Sequence, residues 1–173
     1  MSLNINGNNS DTAYRYQMPK LKINHTGSGK NCKTVLSNLE KVSESIGCPG
    51  TILLAYLSFK CGSNMDKSNS SIKGHYTESN LQNEIFEYIN SFVMCSCGIP
   101  ELIPQVKKKS KKKKSLQLKC SACGKITELK NDKASLKTGD HIIKCLDKDM
   151  WTIKSGMIVN TAENTEFDNL FNL

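Results

Sequence analysis

Two cysteine knuckles constrain this chain more than anything else in it. Cys95-Ser96-Cys97-Gly98 is followed by Cys120-Ser121-Ala122-Cys123-Gly124, with 22 residues between Cys97 and Cys120. Zinc takes four thiolates tetrahedrally, and a close cysteine pair chelates from a single tight turn. A glycine after each pair lets the backbone fold back so that amides point at sulfur. The pattern predicts a zinc ribbon with one structural Zn2+ held by Cys95, Cys97, Cys120 and Cys123. The first pair is off pattern, with one intervening residue where two are usual, so Cys145 or His141 could stand in for one ligand. In a module of about 50 residues with few apolar side chains, the metal would supply much of the folding stability.

The chain has eight cysteines and a polar, Asn-rich start without a signal-peptide core. That argues for reduced thiols and a metal, not a disulfide framework. Cys32, Cys48 and Cys61 fall on core-like segments and read as small buried apolar residues. His25, His75 and His141 show no pairing motif that would activate a cysteine nucleophile.

Between the knuckles, residues 107–114 read Lys-Lys-Lys-Ser-Lys-Lys-Lys-Lys. Lys107, Lys108, Lys109, Lys111, Lys112, Lys113 and Lys114 carry nearly all of the net charge of +8, and the rest of the chain is close to neutral. A cationic loop on a neutral body suits contact with RNA phosphates, which is salt-sensitive and not sequence-specific. A solvated, disordered lysine loop would read the same way. No aromatic residue interrupts the run, so base stacking there is not expected. No segment approaches the roughly 20 apolar residues that span a bilayer, and no membrane partner is expected.

Taken in order, residues 1–19 read as a mobile polar arm ending at Met18-Pro19. Lys20 to His25 alternates polar and apolar, as a half-buried strand does. Gly27, Gly29, Lys30, Asn31 and Lys33 form a loop fit to touch phosphate, although it lacks the Gly-Lys-Ser/Thr ending of a P-loop. Val35, Leu36, Leu39, Val42 and Ile46 predict a helix over 33–46, stopped at Gly47. The apolar run Thr51–Phe59 reads as a helical turn leading into a buried strand, which periodicity alone cannot separate from a helix. Residues 72–76 suggest a short strand, and Thr77 with Leu81, Ile85, Ile89 and Phe92 a capped helix. The expected class is α+β: a small α/β layer of two helices on a short sheet over 20–92, then the ribbon over 93–148, then a tail or linker over 149–173. Trp151 would close off the ribbon or anchor a partner. Residues 160–173 read as a frayed tail or a short amphipathic helix.

Arg15 is the only arginine among the 24 basic residues. It sits between Tyr14 and Tyr16 on the arm. Its planar fork is not interchangeable with lysine, yet a composition rich in Lys and Asn could leave one arginine by chance.

Taken together, these pieces resemble a known family. The Tyr-Arg-Tyr-x-Met-Pro arm, the Gly-x-Gly loop running to Lys33-Thr34, the α/β layer, the helix ending Phe92-Val93 and the ribbon are similar to the amino-terminal region of eukaryotic translation initiation factor 5. The related beta subunit of initiation factor 2 shares the layer and ribbon but does not begin with this arm. The family loop reads Gly-x-Gly-Asn-Gly-Ile-Lys-Thr; here Lys30-Asn31-Cys32 replaces Asn-Gly-Ile. The family's carboxy-terminal helical-repeat domain has no counterpart among these residues.

The resemblance implies a cytoplasmic translation factor that promotes GTP hydrolysis by initiation factor 2 at start-codon selection. It implies as partners the gamma-subunit GTPase and the beta subunit of that factor, the small ribosomal subunit, initiator tRNA and the mRNA start codon. Arg15 would act catalytically in trans, Tyr14 and Tyr16 would pack the arm on the GTPase, and the glycine loop would face tRNA and codon. The chain itself would not be an enzyme. Two other readings are a non-activating subunit bridging GTPase and tRNA, and a generic zinc-ribbon RNA-binding protein.

Overall fold

The computed structural model describes residues 1–151. Its first element overturns the expected mobile arm. Strand β1 (Ser2–Asn4) pairs antiparallel with β2 (Gln17–Pro19), with Leu3 opposite Met18. Ile5, Met18 and Leu21 are fully buried. Two apolar side chains of the arm and one just beyond it thus join the core, and only the stretch between Ile5 and Tyr16 is a surface loop. The arm's polar composition obscured these anchors.

Four short strands form one antiparallel sheet in the order β3-β4-β6-β5: β3 (Ile23–Thr26), β4 (Lys33–Leu36), β5 (Met65–Asp66) and β6 (Ser71–Lys73). The helix expected over 33–46 is two elements. Residues 33–36 are strand, with Thr34 and Leu36 inward, and α1 (Leu39–Ile46) follows. Val35 and Leu36 fit either period, and backbone pairing on both sides of β4 decides for strand. Gly47 does stop α1, in the left-handed region at φ 84°.

The run expected to become a strand is instead helix α2 (Gly50–Cys61), entered from Pro49 and closed by Gly62 at φ 63°. Residues 52–58 are all buried, so no face is polar and no helical period shows. At Gly50 a Cβ would stand 2.4 Å from a Glu40 carboxylate oxygen, so a larger residue there would have to displace that side chain of α1. Helix α3 (Glu78–Phe92) begins as expected at Thr77, whose hydroxyl accepts from the Asn80 amide at 3.2 Å.

The second sheet is β7 (Leu102–Lys108), β8 (Lys114–Cys120) and β9 (Ile126–Glu128), all antiparallel. It leads into α4 (Lys133–Asp147), a helix that no sequence pattern announced. Its buried face is Ala134, Ser135, Thr138, Gly139 and Ile142, spaced three and four apart but mostly small or polar. Asp132 caps it by accepting from the Ser135 amide at 3.0 Å. Helix α4 packs on α2 and on β8. One buried cluster therefore runs from Ile5 through α2 and α3 to Leu116, Leu118 and Ile142, across the expected boundary at residue 93.

Trp151 is half-buried and lines a cleft of about 20 Å³ with Pro104, Leu118 and Ile142, where layer and ribbon meet. The tail expected over 160–173 lies outside the described residues. No described helix is long and apolar enough to cross a membrane.

Candidate metal centre and the arginine loop

Each cysteine pair is bent by its glycine. Gly98 at φ 87° donates its amide to the Cys95 carbonyl at 3.0 Å, and Gly124 at φ 76° donates to that of Cys120 at 2.9 Å. The two turns face each other, because Cys120 ends β8 opposite Leu102 of β7. The Lys125 ammonium donates to the Ser96 hydroxyl at 2.9 Å and ties one knuckle to the other.

The four sulfurs lie within 4.8 Å of one another. Cys95 Sγ is 3.6 Å from Cys123 Sγ, and Cys97 Sγ is 3.8 Å from Cys120 Sγ. A tetrahedron with Zn–S bonds of about 2.3 Å has edges of about 3.8 Å. The donor set and its spacing therefore fit a tetrahedral metal, and the one-residue first pair contributes both its thiols. His141 instead lies against the Phe59 ring at 5.4 Å, and Cys145 is a half-buried residue of α4.

The two thiols of the first knuckle are shifted in opposite directions. The Cys97 amide and the neighbouring thiols bring Cys95 down to about 6. Cys97 stands at about 11: the Ile99 amide lowers it, but burial and the other three thiols more than offset that. Of these two protons one leaves easily and the other with difficulty, the behaviour of crowded thiols that a divalent cation relieves. Of the remaining cysteines, Cys48 is buried and pushed up to about 12 by that burial, while Cys32 and Cys61 are only half-buried.

Opposite the second knuckle lies the loop that carries Arg15. Asn4 Nδ2 donates to the carbonyls of Asn9 and Asp11, each at 2.7 Å, and the Ile5 amide donates to the Tyr16 carbonyl at 2.9 Å. Asp11 accepts from the Ala13 amide at 2.9 Å, and Gln17 donates to the Thr12 carbonyl at 3.2 Å. The loop is thus braced from both strands of its hairpin. Arg15 is exposed, whereas Tyr14 and Tyr16 are half-buried with ring centroids 5.8 Å apart. The Arg15 guanidinium lies 5.6 Å from the Tyr16 ring centroid, within cation–π range.

Tyr16 donates its hydroxyl to Glu101 Oε1 at 2.9 Å. The Ser121 hydroxyl and that of Tyr16 hold the Glu101 carboxyl below its ordinary range, helped by the charge of Arg15. In return Glu101 pushes the Tyr16 phenol up. Sequence reasoning missed Glu101 and Ser121. They carry no local pattern, and Tyr16 and Glu101 are 85 residues apart.

The other singled-out residues lie elsewhere. Gly27 and Gly29 have φ of 77° and 55°. At Gly27 a Cβ would stand 2.4 Å from the Asn31 carbonyl oxygen, so the turn there needs glycine. Lys30 and Asn31 are exposed in a 3-10 turn, and Lys33 pairs with Asp66 at 3.5 Å. Beside this loop the exposed rings of His25 and His75 stack at 3.9 Å, a feature no motif announced. The lysine run is the far end of the β7–β8 hairpin, turned at 110–113. Seven residues of strand place it about 20 Å from the cysteine end. Lys107–Lys113 are exposed, and Lys114 is paired with Asp147. The structure thus brings the Arg15 loop and the cysteine centre together and sets the glycine and lysine loops at separate tips.

Comparison with known proteins fits this arrangement. A family model described as the domain found in initiation factors 2B and 5 matches residues 6–126. Eukaryotic translation initiation factor 5 of Saccharomyces cerevisiae is 32% identical over 134 residues, covering 75% of this chain and 32% of that protein. The factor 5 of Caenorhabditis elegans is 34% identical over 129 residues, covering 72% of this chain and 28% of that protein. That of Mus musculus is 33% identical over 129 residues, covering 72% and 29%. The matched region is thus about a third of each relative's length. With a family model spanning the Arg15 loop, the first sheet, the β7–β8 hairpin and all four cysteines, the chain belongs to the family of the domain found in initiation factors 2B and 5, and it is a factor 5-like amino-terminal region.

Proposed function

We propose that this chain is a translation initiation factor of the factor 5 type that accelerates GTP hydrolysis by initiation factor 2 in the preinitiation complex. Arg15 enters the nucleotide site in trans. Phosphoryl transfer builds negative charge on the transferred group, and an arginine supplied from outside stabilises it by about 10³–10⁵ in rate in well-studied GTPases. The observation that carries this reading is the exposure of the chain's lone guanidinium on a braced loop, while both neighbouring tyrosines turn inward. A presented arginine loses less freedom on docking than one on a random coil.

Cys95, Cys97, Cys120 and Cys123 would hold a zinc ion, which when bound supplies folding free energy and no reaction chemistry. The lysine hairpin and the glycine loop would meet RNA of the small subunit and the initiator tRNA. These surfaces address the chain to its complex, and the chain holds no nucleotide of its own.

Single-turnover GTP hydrolysis in preinitiation complexes tests the assignment. Arg15→Ala and Arg15→Lys are expected to lose about 10³ of the stimulated rate, with binding to the complex retained. Full stimulation by Arg15→Lys would show that the forked guanidinium is not what acts. A parent chain that binds without accelerating hydrolysis would instead favour a bridging subunit.

A further inference from the structure

Glu101 touches both halves of the centre described above. On one side its backbone carbonyl accepts from the Ser121 amide at 3.0 Å, and its Oε2 accepts from the Ser121 hydroxyl at 2.6 Å. On the other side its Oε1 accepts from the Tyr16 hydroxyl at 2.9 Å. Each carboxylate oxygen thus has its own partner. Ser121 sits between Cys120 and Cys123, so its position follows from whatever holds those two thiols. Tyr16 is in turn the residue whose ring underlies the Arg15 guanidinium and whose carbonyl is fastened to buried Ile5.

We propose that Glu101 is a positioning residue for Arg15. It carries the order of the second cysteine knuckle through Tyr16 into the arginine loop, so that loading the knuckles with zinc fixes the presentation of the guanidinium. The significance of Arg15 rests on the function proposed above. The metal-dependent order of the Arg15–Tyr16 segment does not, and it can be measured without GTP or any partner.

The physical case is one of rigidity passed along short bonds. A free four-thiol cluster lets its knuckle turns rearrange, whereas a tetrahedral ion fixes all four sulfurs at once. Ser121 makes two of its bonds to the same residue, so it fixes that residue's orientation as well as its place. Hydrogen bonds to a carboxylate are the stronger kind. Losing the one from Tyr16 should raise the open population of the loop by about tenfold.

Arg15 being the only arginine, an arginine-specific protease has one site in the whole chain. Cleavage there reports how often the loop opens when opening is fast relative to cutting. The comparison takes the full chain, zinc-loaded and zinc-stripped, as parent, Tyr16→Phe and Glu101→Gln. The zinc-loaded parent should be cut slowest. Tyr16→Phe, which removes only the hydroxyl, should be cut about tenfold faster. Stripping zinc should speed the parent by a similar factor yet add little to Tyr16→Phe, because the link is already severed. Glu101→Gln keeps one acceptor oxygen and should fall between.

Equal rates in all zinc-loaded variants would overturn the proposal. So would a zinc effect that adds in full on top of Tyr16→Phe, which is what a general loosening of the fold produces. A chain that takes up no zinc overturns it as well. Failure of the GTP assay with this coupling intact would count against the proposed function alone.

Discussion

Arg15 and Tyr16 are adjacent, yet one faces solvent and the other is bonded to a carboxylate 85 residues away. That division of labour is common at the residue scale in this chain: one side chain is offered outward while its neighbour is held. The glycine loop repeats it. Lys30 and Asn31 are exposed, while Lys33 is drawn to Asp66. Asp66 organises the turn beside it by accepting from the Ser68 hydroxyl at 2.6 Å, the Asn69 amide group at 3.0 Å and the Ser68 backbone amide at 3.1 Å. Those bonds, the Ser68 hydroxyl first, bring its carboxyl from 3.8 to about 2. A depressed folded value means that the turn's contribution is complete above the unfolded value and is lost as pH falls through the folded one. Acid unfolding followed through that window should show a flatter profile for Asp66→Asn than for the parent. Superimposable profiles would mean that the turn contributes nothing at acid pH.

Among the elements, the β7–β8 hairpin most clearly separates stability from binding. Its cysteine end carries the buried residues Leu102, Leu116, Leu118 and Cys120, whereas its lysine end carries none. Replacing Lys111, Lys112 and Lys113 with serine should therefore leave the melting transition in place. If the hairpin meets RNA as proposed, the same change should weaken that association and lower the slope of log affinity against log salt by roughly 2 to 3, since each phosphate left without its lysine takes about 0.7–0.9 off that slope. Titrations at several salt concentrations decide this; an unchanged slope would count against the proposed RNA contact of this hairpin. Helix α4 shows the opposite balance. It exposes Leu136 and several lysines, but Gly139 lies so close to Leu129 that a Cβ would stand 2.7 Å from its Cδ1. That side of the helix exists to pack.

For the molecule as a whole, the continuous core is the consequential feature. Helix α2 is shared by α1, α3 and α4, so the ribbon's helix is buried against the layer's. Stability supplied by zinc at the cysteines should then be felt throughout. Chelation is expected to shift one cooperative thermal transition of the entire chain to lower temperature, with loss of about one zinc per chain on elemental analysis. Two transitions, only one of them metal-sensitive, would show instead that layer and ribbon unfold independently.

The four-cysteine cluster, the lysine tip, the stop at Gly47 and the cap at Thr77 were all legible in the sequence. Each depends on residues within one turn or one hairpin, where spacing and chemistry suffice. The tertiary structure decided the rest. Residues 33–36 became strand because two neighbours pair with them, and 50–61 became helix because α1, α3 and α4 pack around it and erase the polar face that marks a period. Helix α4 buries small and polar residues that carry almost no hydrophobic signal. The arm changed most. Sequence alone established a lone arginine between two tyrosines near one end of the chain. That its Ile5 and Met18 are buried, and that its tyrosine reaches Glu101 beside a cysteine knuckle, depends on long-range contacts that no local pattern encodes.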